Sequence, residues 1–230
     1  MCGRFTLTAE MNTLQATFPW LNIPEGMAPR YNIAPSQPVA VVPNDGKNTL
    51  DFYVWGLVPF WAKDPKIGNR MINARAETLA EKPSFKSAFR RRRCLVLANG
   101  FYEWQRKPNA SGSKSTGAKT PMYIKMTSGE PFAFAGLWET WNAPDGSRLI
   151  SCNIITTEPN ELVSQIHNRM PVILPTTAYQ TWLDPHERAP SELSSLLKPY
   201  PSNQMVSYPV SKQVNNPTND LPTCIQETRE

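Results

Sequence analysis

Twenty-three prolines against eleven glycines in 230 residues bar long helices from this chain. Proline fixes φ and removes a backbone donor, so it ends helices and is excluded from the middle of sheets. The chain must therefore consist of many short elements joined by stiff corners. Strand-like runs dominate between the corners. Val39-Ala40-Val41-Val42 and Leu50-Asp51-Phe52-Tyr53-Val54-Trp55 flank Asn44-Asp45-Gly46, a hairpin signal with a loop longer than two residues. Residues 94–98, 122–126, 132–137 and 149–156 are further strands, rich in branched and aromatic side chains. Helices are expected to be short. Thr8 is placed to cap one carrying Met11, Leu14 and Phe18 on a single face. Pro159 fits the first helical position before residues 161–166, and residues 175–183 and 191–197 form similar pieces. With no internal repeat and no dividing linker, the pattern predicts a single α+β domain over residues 1–230. Its centre is a curved, largely antiparallel, barrel-like sheet with short peripheral helices. The polar tract over about 107–119 reads as an insertion between two strands.

Composition narrows the partners. A net charge of +5 favours anionic ligands. The four cysteines stand far apart and there are two histidines, so the clustered ligands of a metal site are missing and no cofactor is expected. Cys94 and Cys152 lie in apolar runs and read as buried thiols. No leader or membrane-length apolar stretch is evident, which predicts a cytoplasmic protein with reduced thiols.

The chain begins Met1-Cys2-Gly3-Arg4-Phe5. Removal of Met1 leaves one residue carrying an α-amine and a thiol, which titrate near pH 8 and 8.5 in model compounds. An aldehyde meeting this pair forms an imine that sulfur closes into a five-membered thiazolidine. The bland alternative is an accidental terminal cysteine. Glu103, in Asn99-Gly100-Phe101-Tyr102-Glu103-Trp104, sits in a strand burying aromatics on both faces; it is either a desolvated carboxyl suited to proton transfer or a solvated edge residue. His167 closes a short helix and either exchanges protons or caps that helix. Asn73 and Arg75 offer an amide fork and a guanidinium matched to phosphate, or they simply form a strand-to-helix corner. Trp61, among aromatics around Gly56 and Pro59, is a wedge or platform for an unstacked base, or a core plug. The run Arg90-Arg91-Arg92-Arg93 reads as a solvated face that can add attraction for a phosphate backbone.

Five segments stand in one order: Cys2-Gly3-Arg4-Phe5, Tyr31-Asn32-Ile33-Ala34-Pro35, Ile72-Asn73-Ala74-Arg75-Ala76-Glu77, Gly100-Phe101-Tyr102-Glu103-Trp104 and Ile166-His167-Asn168-Arg169-Met170-Pro171. Together they closely resemble the SOS-response-associated peptidase family, also called the abasic-site processing family, over nearly the whole chain. The resemblance implies a protein that binds single-stranded DNA and shields abasic sites through a thiazolidine crosslink at Cys2; the imine chemistry adds weak strand cleavage as an expected side reaction, and a monomer is expected. It implies that Cys2, Glu103, His167 and Asn73 carry the chemistry. It further implies that Arg4, Arg75 and Arg169 contact phosphates, with Trp61 as wedge and Thr156 as a supporting hydroxyl at the DNA. No metal, cofactor or membrane enters, and the setting is the cytoplasm, at the nucleoid and replication fork. Two other readings stay open: a non-covalent single-strand or modified-base binder, and a thiol autopeptidase that removes its own first residue.

Overall fold

Proline and glycine do cut the chain into short elements, and the strands assort into two sheets. The computed structural model describes residues 2–106 and 119–228, so the polar tract expected over 107–119 lies almost entirely outside the described residues. The strands are β1 (Phe5–Leu7), β2 (Arg30–Ile33), β3 (Pro38–Pro43), β4 (Asp51–Trp55), β5 (Asn73–Arg75), β6 (Arg93–Ala98) and β7 (Gly100–Arg106). They continue as β8 (Lys119–Met126), β9 (Phe132–Asn142), β10 (Arg148–Thr157), β11 (Met170–Pro171), β12 (Ile173–Leu174) and β13 (Met205–Pro209).

The larger sheet closes on itself. Its order runs β10-β4-β3-β6-β9, and β9 pairs back onto β10 to complete a five-stranded barrel. The hairpin read from sequence is present, with Val39 opposite Tyr53. Most pairings are antiparallel, as expected, but β10 runs parallel to both β4 and β5. The second sheet, β13-β8-β7-β1-β2, is antiparallel and lies against the barrel. Phe5 of β1 packs edge-on against Trp55 of β4 and Phe134 of β9, with ring centroids 5.1 and 5.7 Å apart. Phe101 of β7 meets the same Phe134 at 6.0 Å. All four rings are buried, and each contributes on the order of 2–3 kcal/mol of burial energy. This cluster therefore fixes the N-terminal strand against the barrel wall.

Helices are as short as the prolines require, yet two caps differ from expectation. The first, α1 (Met11–Thr17), starts after Glu10 with no side-chain cap. Thr8 instead bonds Asn99: its hydroxyl accepts from Asn99 Nδ2 at 2.7 Å and its N–H donates to Asn99 Oδ1. A long-range partner outcompeted the local one. After α2 (Lys86–Arg91) comes α3 (Glu161–Ser164), which is capped by Asn160; its side chain accepts from Val163 N, so Pro159 stands one position outside. The later pieces are α4 (Tyr179–Trp182) and α5 (Pro190–Ser194).

A glycine pair anchors the loop that carries Trp61. Gly56 has φ +137°, and a Cβ there would lie 2.8 Å from Gly68 O; a Cβ on Gly68 would lie 2.6 Å from Gly56 O. Only two glycines permit this backbone approach. The loop between them leaves Phe60 and Trp61 among the few large apolar side chains exposed to solvent.

The arginine run is a solvated face only in its first half, Arg90 and Arg91, and its members are engaged by protein partners. Arg90 and Arg91 both pair with Glu187, at 2.7 and 2.8 Å, and Arg92 pairs with buried Glu139 at 2.7 Å. Arg93 is fully buried and donates to the carbonyls of Phe89, Arg90, Trp182, Asp184 and His186. One guanidinium thus staples the end of α2 to the segment after α4. Arg93→Leu is expected to lose more than about 3 kcal/mol in urea unfolding, because several buried carbonyls lose their donor together. Arg91→Ala should cost no more than about 1 kcal/mol, as befits an exposed pair. Equal costs for the two variants would refute the staple.

Candidate functional site

The site forms where β1 and β7 of the smaller sheet meet β5 and β10 of the barrel. In the β1–β7 pairing Phe5 lies opposite Phe101 and Tyr102 N donates to Arg4 O at 2.9 Å. Continuing that register sets the chain around Cys2 and Gly3 beside Glu103. On the barrel side, the parallel pairing places Asn73 opposite Ile154 and Arg75 opposite Thr156. Asn73 bridges the two sheets, donating from Nδ2 to the Cys2 carbonyl at 2.7 Å. That bond orients the amide, and its Oδ1 is buried without a hydrogen-bond partner among the described residues. An acceptor held open beside Cys2 is suited to an amine or a hydroxyl arriving there.

Cys2 is fully buried and its thiol donates weakly to Arg4 O at 3.9 Å. Burial, and then the Glu103 carboxylate, push this thiol well above the usual range, so it rests protonated. Glu103 is buried too, and desolvation lifts its pKa to about 7. This is the desolvated alternative of the two that the sequence left open. The carboxyl can both accept and return a proton near neutrality.

His167 follows α3, and its Nε2 lies 4.0 Å from Glu103 Oε2. Its Nδ1 accepts the Arg169 N–H at 3.1 Å and stands 3.2 Å from Arg169 O. Partial burial lowers its pKa, which favours the neutral ring. A neutral ring accepting at Nδ1 carries its proton on Nε2, the nitrogen nearer Glu103.

The three arginines differ. Arg75 is exposed. Arg4 is turned inward: Nη1 donates to Asn32 Oδ1 at 2.7 Å and to Val214 O at 2.6 Å, and its guanidinium lies 6.0 Å from the Trp104 ring centroid. Arg169 donates both Nη atoms to the Glu77 carboxylate, at 2.7 and 2.9 Å, and Nη2 also reaches Thr156 O at 2.7 Å. Thr156 itself is buried, its hydroxyl directed to Ala74 O at 3.4 Å. Trp61 is about half exposed and lines a hollow of about 680 Å³ with Lys63, Lys66, Asn69 and Arg70. Cys2, Asn73, Glu103, His167, Thr156 and Arg169 thus converge, whereas Trp61 stands on its own loop.

Two contributors carried no role in the sequence reading. Asn32, in the second of the five segments, donates from Nδ2 toward the carbonyls of Val214, Asn216 and Asn219, fastening the C-terminal segment under β2. Glu77, at the end of the third, holds Arg169. Their presence inside quoted segments was the available signal. Among the described residues, no three His, Cys, Asp or Glu side chains are grouped to hold a metal ion, and no helix is long and apolar enough to cross a membrane.

Comparison with known proteins gives the family and the fold. The family model described as SOS response associated peptidase (SRAP) matches residues 1–217. Abasic site processing protein YoqW of Bacillus subtilis (strain 168) is 49% identical over 98% of this chain and 99% of its own. Abasic site processing protein HMCES of Mus musculus is 33% identical over 98% of this chain and 75% of its own. Among solved structures, a protein from Bacteroides thetaiotaomicron superposes with a TM-score of 0.84 at 25% identity, covering 99% of this chain and all of the other. A phage-related protein from Bordetella bronchiseptica gives 0.69 at 27% identity, over 92% and 95% of the two chains. With a family match spanning nearly its whole length, the chain belongs to the SOS response associated peptidase family.

Proposed function

We propose that this protein captures abasic sites in single-stranded DNA as a covalent thiazolidine at Cys2, once Met1 has been removed. The observation that carries the reading is the Asn73–Cys2 bond at 2.7 Å, beside a buried carboxyl poised near pH 7. The names of the relatives support abasic-site processing as the class of activity. Burial of the Cys2 thiol keeps it protonated, which favours the α-amine as the first nucleophile once Met1 is gone.

On this reading His167 helps to open the sugar hemiacetal to its aldehyde. The amine of Cys2 adds to C1′, and loss of one water gives the imine. Sulfur then bonds to C1′ as the C=N π bond breaks; the thiol proton passes through Glu103 and the nitrogen ends as N–H. No co-reactant is needed. Holding two nucleophiles beside one carbonyl converts bimolecular steps into local ones. If closure fails, the imine can lose the 3′ phosphate by β-elimination, so weak lyase activity is expected as a side path. Single-strand preference follows because a stacked duplex sugar cannot reach a nucleophile fixed inside a seam.

Arg75 is the exposed guanidinium of the three and the first candidate for a flanking phosphate. Arg4 and Arg169 would contribute by field or after releasing internal partners, Thr156 would support the sugar side from below, and Trp61 would stack on a neighbouring base. Arg75→Ala should weaken binding to every single-stranded sequence alike and reduce the salt slope by about 0.7, measured by fluorescence anisotropy over a salt series. An unchanged slope would remove Arg75 from the phosphate path. The protein is taken to act as a monomer in the cytoplasm, at single strands exposed near replication forks.

The deciding experiment is intact-protein mass spectrometry after incubation with a uracil-excised single-stranded oligonucleotide. The expected species is protein lacking Met1 plus DNA less one water. Recovery of unmodified protein under conditions where the aldehyde is present would overturn the proposal.

A further inference from the structure

Glu77 lies on the barrel side of the site, where its carboxylate makes a two-point ion pair with Arg169. Both of its oxygens meet both Nη atoms of Arg169, at 2.7 and 2.9 Å. This is the edge of the guanidinium that a phosphate would take in the same fork-to-fork manner. Arg169 is therefore already engaged by protein. Its backbone, meanwhile, flanks His167: the N–H donates to Nδ1 at 3.1 Å and the carbonyl lies 3.2 Å from the same atom.

We propose that Glu77 is a positioning residue, which clamps Arg169 so that the Arg169 peptide holds the His167 ring with Nε2 directed to Glu103. The links run in sequence from the Glu77 carboxylate to the Arg169 guanidinium, through the Arg169 main chain to Nδ1, and across the ring to Nε2, which stands 4.0 Å from Glu103 Oε2. The bond from Arg169 Nη2 to Thr156 O fixes a single point on β10, about which the guanidinium could still turn. The second and third contacts, to Glu77, set its plane. The two contacts at Nδ1 compete, since a ring nitrogen either accepts from the N–H or donates to the carbonyl. With the ring held so that Nε2 faces the Glu103 carboxylate, a proton on Nε2 is favoured and Nδ1 accepts the N–H; a loose Arg169 main chain lets the ring turn and exchange tautomers. The salt bridge holds the Glu77 carboxyl below its usual range, so the clamp persists across neutral pH. Because Glu77 is half exposed, its pair adds little to global stability, and a kinetic effect is not a folding effect in disguise.

The kinetic arm of the test rests on the covalent reading above; the spectroscopic arm does not. For Glu77→Ala, single-stranded DNA carrying a tetrahydrofuran analogue should bind within about two-fold of wild type. Single-turnover crosslinking at saturating abasic DNA should slow about ten-fold, the scale of a small misplacement of a catalytic group. Ring 15N shifts, assigned with His167→Gln in a chain that has two histidines, should show one neutral tautomer in wild type and a mixture in Glu77→Ala. Tighter DNA binding with an unchanged rate would mean that Glu77 merely competes with phosphate, and would overturn the proposal. So would an unaltered tautomer. If wild type forms no adduct, the covalent reading falls and the tautomer alone decides for or against Glu77. Should Glu77→Ala lose its fold by circular dichroism, Glu77→Gln, which keeps the side-chain shape, takes the same two measurements.

Discussion

Cys2→Ala protein incubated with abasic single-stranded DNA should yield no stable adduct, a loss of at least about 10³-fold in crosslinking rate, given the effective molarity forfeited with an intramolecular nucleophile. The variant is more informative than a plain knockout, because only half of the reagent is removed. Alanine is small enough for Met1 still to be cleaved, so the α-amine remains and imine formation should persist. Borohydride should trap that imine, and strand scission should rise above the wild-type level, since no thiol diverts the intermediate. Blocking the amine with a residual N-terminal tag tests the other half. The thiol alone gives only a reversible hemithioacetal, so neither a trapped imine nor a stable adduct is expected. A stable adduct in Cys2→Ala without reductant would sink the assignment. Trapped imine in the tagged protein would move the amine to a lysine.

What the sequence made legible followed from local rules. Alternation and branched residues marked β3, β4, β6, β8, β9 and β10, because side-chain period and turn chemistry are properties of a few consecutive residues. Glu103 was readable only as one of two alternatives, because adjacent aromatics in one strand suggest burial on both faces without deciding whether the carboxyl is desolvated; the structure buries Phe101, Tyr102 and Glu103 together. The parallel pairing of β5 with β10 was not readable, since it joins Asn73 to Ile154 across 80 residues and leaves no short-range mark. Yet that pairing is what carries Asn73 to Cys2. Charge was the other blind spot. A sequence gives the sign of Arg4, Arg93 and Arg169 but not their direction, and all three spend donors on carbonyls or carboxylates of the protein itself. Within the four-arginine run it was Arg93 that departed from a solvated face for this reason, because guanidinium donors satisfied by main-chain carbonyls have no counterpart in composition. Thr8 misplaced a helix start by the same competition between near and distant partners, whereas Pro159 stood one position early because its neighbour Asn160 took the cap.

Glu103→Gln should slow crosslinking by about 10²-fold, the usual contribution of a positioned acid–base group, while single-strand affinity stays near wild type. It should also make the protein more stable above neutral pH, and the sign can be worked through. Desolvation raises the folded-state pKa of Glu103 from the ordinary 4.5 to about 7. Below about pH 4.5 both folded and unfolded chains hold the proton, and the residue costs nothing by ionisation. Between 4.5 and 7 the unfolded chain releases it while the folded chain retains it, so stability falls as pH rises through this window. Above 7 the loss is complete, at about 3 kcal/mol, and constant. Glutamine has the same shape and never ionises, so the variant escapes that loss. Melting temperatures should therefore coincide near pH 4.5 and diverge by roughly 6–12 °C at pH 8, in favour of the variant, for a domain of this size. Rate and stability then move oppositely from one substitution, as expected where a catalytic carboxyl is kept in an unfavourable environment. The pH–rate profile gives a third reading. Wild type should accelerate through about pH 7 and again near 8 as the amine deprotonates, whereas Glu103→Gln should keep only the second rise. Equal crosslinking rates in the two proteins would take Glu103 out of the chemistry, and a melting difference that does not vary with pH would show its carboxyl to be solvated.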